Sequence, residues 1–406
     1  MPNKDKNISK RRFKAFENAD AWELRRFSEL AEIRRGLTYS PTSIRKEGIR
    51  VLRSSNIDED TFTFGEDDVF VDKGVVKIPL VKEGDILITA ANGSSRLVGK
   101  HTIIKGLPAN STVHGGFMLL ASCRNPEFVN SLMSSEWYNK FISLYVAGGN
   151  GAIGNLNKND LDNQLVVVPS TSEQSAIGIF FSTLDQQITL HQRKLDKLKH
   201  VKQAYLSEMF PAEGERMPKR RFPGFTDAWE LRKLGEVAKY RNGKAHEQSI
   251  VAEGDYVVIN SKFVSTGGVV EKFSSRQLEP LYKNEIAFVL SDIPNGKALS
   301  KTFLVDVDQK YTLNQRIAAI TPKESASFLN ELLNRNSYFL KFDNGVGQTN
   351  LAKDQVLEFN AFFPSLPEQE TIGTFFSTLD QHITLHQRKL EKLKNLKKAL
   401  LNELFV

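Results

Sequence analysis

Residues 173–210 recur at 368–405, at a constant offset of 195 and with 27 of 38 positions identical. A repeat that close dictates the architecture, because two copies of one segment in one chain are expected to adopt one structure. Each copy carries FFSTLDQ, from Phe180 to Gln186 and from Phe375 to Gln381. ITLHQRKL follows, from Ile188 to Leu195 and from Ile383 to Leu390. The stretches between the copies do not match in this way, but a shorter repeat opens each of them: Ala21-Trp22-Glu23-Leu24-Arg25 and Ala228-Trp229-Glu230-Leu231-Arg232. The chain reads as two tandem units, each an AWEL opening, a body of roughly 140 residues and a helix beginning at Glu-Gln.

From Ile179 to Phe210 and from Thr374 to Val406 there is no Gly and no Pro, giving two runs of about 30 residues, long for globular helices. Apolar residues fall at Ile188, Leu195, Leu198, Tyr205 and Met209, and again at Ile383, Leu390, Leu393, Leu400 and Leu404. Spacings of seven, three and four trace a coiled-coil seam, and the obvious partner of one seam is the other. Pro169 and Pro364 precede the helices by equal distances, and Pro211 ends the first. At 1.5 Å per residue each helix spans roughly 45 Å, more than one turn of DNA. Taken without the bodies, such helices read as a dimerisation scaffold.

The bodies mix strand and helix. Strands are expected at Asp85–Thr89, Leu165–Val168, Tyr256–Asn260 and Ile286–Leu290, and helices at Phe128–Leu144 and Ser325–Phe342. The expected fold class is therefore mixed α/β (α+β). Two globular domains are joined by two long helices in an antiparallel coiled coil, a tandem repeat with pseudo-two-fold character. With 40% hydrophobic and 25% charged residues, the 406-residue chain has the composition of a globular protein of two or three domains. A single cysteine, Cys123, leaves no intramolecular disulfide or thiolate cage and suits a reducing compartment, so a cytoplasmic location is expected. Met1 to Lys14 is basic and lacks an apolar core, which predicts a frayed arm rather than a secretory signal, and no run approaches a membrane span. The net charge of +7 favours polyanionic partners.

Catalytic patterns are weak. There is no Asn-Pro-Pro-Tyr or Asp-Pro-Pro-Tyr motif to cradle an exocyclic amino group. Gly149–Gly154 satisfies GxGxxG, yet it follows an expected helix and leads into polar residues, whereas a dinucleotide site follows a strand and opens a helix; it reads as a turn, as does Gly345–Asn350. His382 and His386 stand four apart, but Gln187 replaces His382 in the first copy, so no metal site is expected. Asp308-Gln309-Lys310 is a bare DxK without an acidic companion. The helix cations Arg193, Lys194, Lys197, Lys199 and Lys202, and Arg388, Lys389, Lys392, Lys394, Lys397 and Lys398, read mainly as a solvated face.

The sequence resembles the specificity subunit of type I restriction-modification systems over nearly its whole length. The landmarks are AWELR; Gly84-Asp85-Ile86-Leu87, degenerate in the second body as Lys283-Asn284-Glu285-Ile286; Asn155-Leu156 with Lys158 and Asn350-Leu351 with Lys353; and PxxxEQ at Pro169–Gln174 and Pro364–Gln369. The resemblance implies an arm at 1–20, target-recognition domains at 21–170 and 228–364, repeated helical regions at 171–211 and 365–406, and a connector at 212–227. It implies a non-catalytic chain whose two domains each read half of an asymmetric bipartite site on double-stranded DNA. The helices would set the spacing and dock methyltransferase subunits, expected to be two, and restriction or translocase subunits would join them. S-adenosylmethionine, ATP and Mg would belong to those partners and not to this chain. The competing readings are a self-contained DNA methyltransferase or nuclease, and a coiled-coil scaffold.

Loop position and side-chain chemistry alone select the candidate DNA contacts. They are Arg53, Ser54, Asn56, Asn92, Ser94, Arg96 and Lys100 in the first domain, and Asn260, Lys262, Asn295, Lys297, Arg316 and Gln348 in the second. Arg and Lys suit guanine edges and phosphates, while Asn and Gln suit adenine edges.

Overall fold

In the computed structural model, residues 9–146, 154–292, 298–343 and 345–405 are described. The chain divides into two units, residues 1–192 with 388–406, and residues 193–387, so that each unit takes half of each long helix. The helices run Thr171–Met209 and Leu366–Leu404, 39 residues each, and so begin earlier than the Gly- and Pro-free runs predict. Pro367 sits in the first turn, where its missing N–H is not needed. Gly178 and Gly373 are retained because the helix presses there on the start of a short helix. A Cβ at 178 would lie 2.7 Å from Phe128 N, and one at 373 would lie 2.9 Å from Phe328 N.

Each unit has the same layout. The first contains an antiparallel sheet in the order His101–Ile103, Ile86–Thr89, Met118–Cys123, Ala31–Arg35. The second repeats it with Thr302–Leu304, Ile286–Val289, Ile317–Pro322 and Ala238–Asn242. A second, smaller sheet in each has one parallel pair, Ile49–Leu52 with Thr112–His114 and Tyr256–Ile259 with Tyr311–Leu313. The AWEL strand pairs with the strand that precedes the long helix, Glu23–Arg26 with Leu165–Val168 and Glu230–Lys233 with Asn360–Phe363. All four expected strands are present. Each expected body helix is instead two, Pro126–Met133 with Glu136–Tyr145 and Ala326–Leu333 with Ser337–Leu340. Ser135 breaks the first by bonding back to the Leu132 carbonyl; Arg335, at φ +57°, breaks the second, and Asn336 caps the helix that follows.

The GDIL landmark is a brace. Asp85 accepts Lys82 N at 2.9 Å, Ser122 Oγ at 2.7 Å and Arg34 at 3.2 Å. Glu285 accepts Tyr282 N at 2.9 Å, Thr321 Oγ1 at 2.7 Å and Arg241 at 2.8 Å. The residue before each carboxylate is left-handed, Gly84 at φ +83° and Asn284 at φ +69°, and Asn is the side chain that best tolerates that backbone. The second spelling is divergent, yet its conformation is the same.

Within each unit the two half-helices run antiparallel. In the first, Phe181 stacks on Phe405 while Lys397 pairs with Asp185 at 2.7 Å and with Asp60 at 3.1 Å. In the second, Tyr205 meets Phe375 edge-on while Lys202 pairs with Asp380 at 2.7 Å and Glu331 at 2.9 Å. Lys202 and Lys397 are thus interior ion-pair partners and not part of a solvated face; the other nine helix cations named above are exposed. The seam residues are buried or half-buried, and the same spacing continues toward the start of each helix through the buried Phe181, Leu184 and Phe376.

The basic N-terminal segment is docked from residue 9 onward, not frayed. Arg12 forms a two-pronged pair with Glu173, and Phe13 packs edge-on against Phe180 at 5.4 Å. The connector repeats both contacts, with Arg221 on Glu368 and Phe222 on Phe375 at 5.6 Å. The sequence carries the signal as Lys10-Arg11-Arg12-Phe13 and Lys219-Arg220-Arg221-Phe222, at an offset of 209. The PxxxEQ landmark then has a mechanical reading. Its Glu takes the arginine, and its Gln returns to the proline carbonyl, at 2.9 Å for Gln174 and 3.0 Å for Gln369.

Candidate nucleic-acid interface

The Asn-Leu landmarks anchor the loops that carry the candidate residues. Leu156 and Leu351 are buried, and their N–H groups donate to the carbonyls of Ala90 and Leu290 at 2.7 and 2.8 Å. Asn155 and Asn350 pair with Ala91 and Ser291, making a two-stranded ladder at the base of each loop. Main-chain hydrogen bonds therefore fix where each loop leaves the sheet, while its tip is free to vary in sequence.

In the first domain this brings three candidates together. Asn92 Nδ2 donates to Ser54 Oγ at 3.0 Å, and Ser94 N donates to Asn92 Oδ1 at 2.9 Å. Arg96 lies exposed on the single turn Ser95–Leu97 that follows. Arg53 is half-exposed and donates to Asp67, and Lys100 is half-buried. Asn56 is wholly buried. Its Oδ1 accepts Arg53 N, and its Nδ2 donates to the Thr63 carbonyl and to Asp68, so the amide is used within the fold.

In the second domain Asn260 caps the helix Ser261–Ser265 through Phe263 N, and exposes Lys262 on its first turn. Ser291 links this loop to the Asn-Leu side. Ser261 Oγ donates to its carbonyl at 3.4 Å, and Gln348 Nε2 donates to its Oγ at 2.6 Å. Arg316 is exposed at the turn beside Leu290, whose N–H donates to the Arg316 carbonyl at 3.0 Å. Asn295 and Lys297 lie outside the described residues, as do residues 149–153 of the glycine motif. Gly345 takes the left-handed φ of +68°, and the segment that the sequence reads as a turn ends in the short strand Thr349–Asn350.

Arg96, Lys262 and Arg316 have no ion-pair partner among the described residues, unlike the cations beneath them. Arg34, Arg241 and Lys202 are consumed by interior carboxylates, and the buried Lys397 by the half-buried Asp185. Positive charge that is unneutralised and exposed, next to Asn, Gln and Ser groups held on a rigid base, is the chemistry that meets phosphates and base edges. The Asp308–Lys310 triplet is a turn, with Asp308 accepting Lys283 N and Gln309 at φ +61°.

Among the described residues no helix is long and apolar enough to cross a membrane. The sequence model of the type I restriction modification DNA specificity domain matches residues 19–200 and again residues 226–395. The fold is similar to the type I restriction-modification S subunit from M. genitalium, with a TM-score of 0.68 at 16% identity over 98% of this chain and 99% of that one. The HsdS subunit from Thermoanaerobacter tengcongensis also matches, at a TM-score of 0.37 and 17% identity over 95% of this chain and 96% of that one. Matched by that domain twice, over both of its repeated units, the chain belongs to the type I restriction-modification DNA specificity family.

Proposed function

We propose that this chain is the non-catalytic, DNA-reading subunit of a multisubunit modification and restriction complex, and that each domain reads one half of an asymmetric bipartite site. The observation that carries the reading is the pairing of one scaffold with two different tips. The same hydrogen bonds hold the loop base in both domains, while Ser54, Asn92, Ser94 and Arg96 stand around it in the first and Lys262, Arg316 and Gln348 in the second. A binder of DNA backbone alone has no use for that divergence, since phosphate contacts carry no sequence information.

The repeated helices set the separation of the half-sites and present equivalent surfaces to two methyltransferase subunits, with restriction or translocase subunits completing the assembly. S-adenosylmethionine, ATP and Mg are the partners' cofactors in this reading. A four-residue insertion in the first long helix tests the ruler: the methylated motif should keep both half-sites and change its spacer. An unchanged motif overturns it.

A further inference from the structure

Phe117 stands 71% exposed in the turn between the strands Thr112–His114 and Met118–Cys123. A lone exposed apolar residue is ordinary on a protein surface. What sets Phe117 apart is the bracket that holds it. The turn closes with Met118 N on the Gly115 carbonyl at 2.8 Å; Gly115 N donates to the Leu52 carbonyl at 2.9 Å; and the Phe117 carbonyl accepts both Ala90 N and Ala91 N, at 2.9 and 3.0 Å. Leu52 leads directly into Arg53 and Ser54, and Ala91 into Asn92 and Ser94. The ring therefore rises from a turn bonded to the bases of both candidate reading loops.

The second domain builds the same bracket. Ile317 N bonds to the Asn314 carbonyl at 3.0 Å, Asn314 N to the Ile259 carbonyl at 3.1 Å, and Leu290 N to the Arg316 carbonyl at 3.0 Å. A glycine backs the turn in both. A Cβ at Gly36 would come within 2.8 Å of the His114 carbonyl, and one at Gly243 within 2.7 Å of the Leu313 carbonyl. Phe117 and Arg316 thus occupy one scaffold position with opposite chemistries. An interchangeable filler would be buried, but Phe117 belongs to no core cluster and meets no other ring among the described residues.

We propose that Phe117 is a base-reading residue of the first domain that packs against the C5 methyl of a thymine in its half-site. This rests on the DNA-reading function proposed above. An aromatic ring offers no hydrogen bond to a base edge, and the thymine methyl is the apolar group that the major groove displays.

The test combines Phe117→Ala and Phe117→Leu with duplexes in which each thymine of the first half-site is replaced in turn by deoxyuridine, which lacks only that methyl. The complete complex with its modification subunit is used for binding and for methylated-motif sequencing. Wild type is expected to discriminate against deoxyuridine at one position by about three- to fivefold, the effect of one buried methyl. Phe117→Ala should lose that discrimination and relax the same position of the motif, with the second half-site unchanged, and Phe117→Leu should retain part of it. Equal loss on thymine and deoxyuridine, an unchanged motif, or a first half-site with no thymine overturns the proposal. If wild type itself yields no gapped motif, the DNA-reading function fails instead, and the two failures are told apart by that control.

Discussion

Arg12 and Glu173 meet fork to fork, Nε on Oε1 at 2.9 Å and Nη2 on Oε2 at 2.5 Å, with side chains only 7% and 1% exposed. Arg221 and Glu368 repeat the geometry in the second unit, at 2.8 and 2.6 Å. The pair ties the segment ahead of each AWEL strand to the first turn of a long helix. Its charges satisfy one another where water does not reach.

Arg12→Met should cost about 3 kcal/mol, because it strands a buried carboxylate. Replacing both partners, Arg12→Met with Glu173→Leu, should recover most of the loss, since no buried charge is left unpaired and the carbonyls of Ala19 and Asp20, which Arg12 also serves, are exposed to water. Chemical denaturation of the three proteins checks this. A double variant as unstable as the single one would show that the pair contributes more than mutual neutralisation.

Gly178→Ala raises helix propensity by about 1 kcal/mol, yet should lower stability. Its Cβ meets the Phe128 backbone at 2.7 Å, and the overpacking costs roughly 1–3 kcal/mol. Thermal melting reads the sign directly, and a raised melting temperature would refute the close approach.

Burial lowers the pKa of His114 from 6.5 to about 4, opposed by its hydrogen bond to the Arg34 carbonyl. Between those values the unfolded chain takes up a proton that the folded chain refuses, so stability falls as pH falls through that window. By pH 5 the loss is about 2 kcal/mol. His101 is shifted in the same direction, chiefly by its burial. The stability of His114→Gln should fall less steeply than that of wild type between pH 6.5 and 5 in melts taken at matched ionic strength; parallel slopes would contradict the assignment.

Asn92→Ala and Arg316→Ala should each relax a different half of the recognised sequence, at a cost of roughly 1–3 kcal/mol for a lost base contact. Asn56→Ala should do the reverse. Its amide is spent on Arg53, Thr63 and Asp68, so melting temperature should drop while the motif persists. Motif sequencing alongside melting separates the two. An equal loss of affinity on all sequences would reassign Asn92 or Arg316 to phosphate contact.

Much of this was legible in the residues. The repeat at an offset of 195 announces two like units, and period and composition place Ile86–Thr89 and Ile286–Val289 as strands, because buried strands read as apolar runs. Charge was harder to read. Lys202 and Lys397 look like their neighbours on a lysine-rich helix, and only the carboxylates of Glu331 and Asp60, far away in sequence, mark them as interior. The KRRF repeat escapes because it recurs at 209, a different offset from that of the helices. Asn56 and Asn92 carry the same amide in similar loops, and burial alone separates a brace from a candidate reader. Phe117 escapes for the opposite reason: Gly115-Gly116-Phe117 before an apolar run reads as the start of a strand, and nothing local says that the ring points outward.

The most direct test is single-molecule sequencing of DNA methylation in cells that express the matched methyltransferase subunit with and without this chain. A gapped, asymmetric motif that appears only when the chain is present is the predicted result. No motif, although the two proteins copurify, would contradict sequence reading by this chain and leave a scaffold in its place.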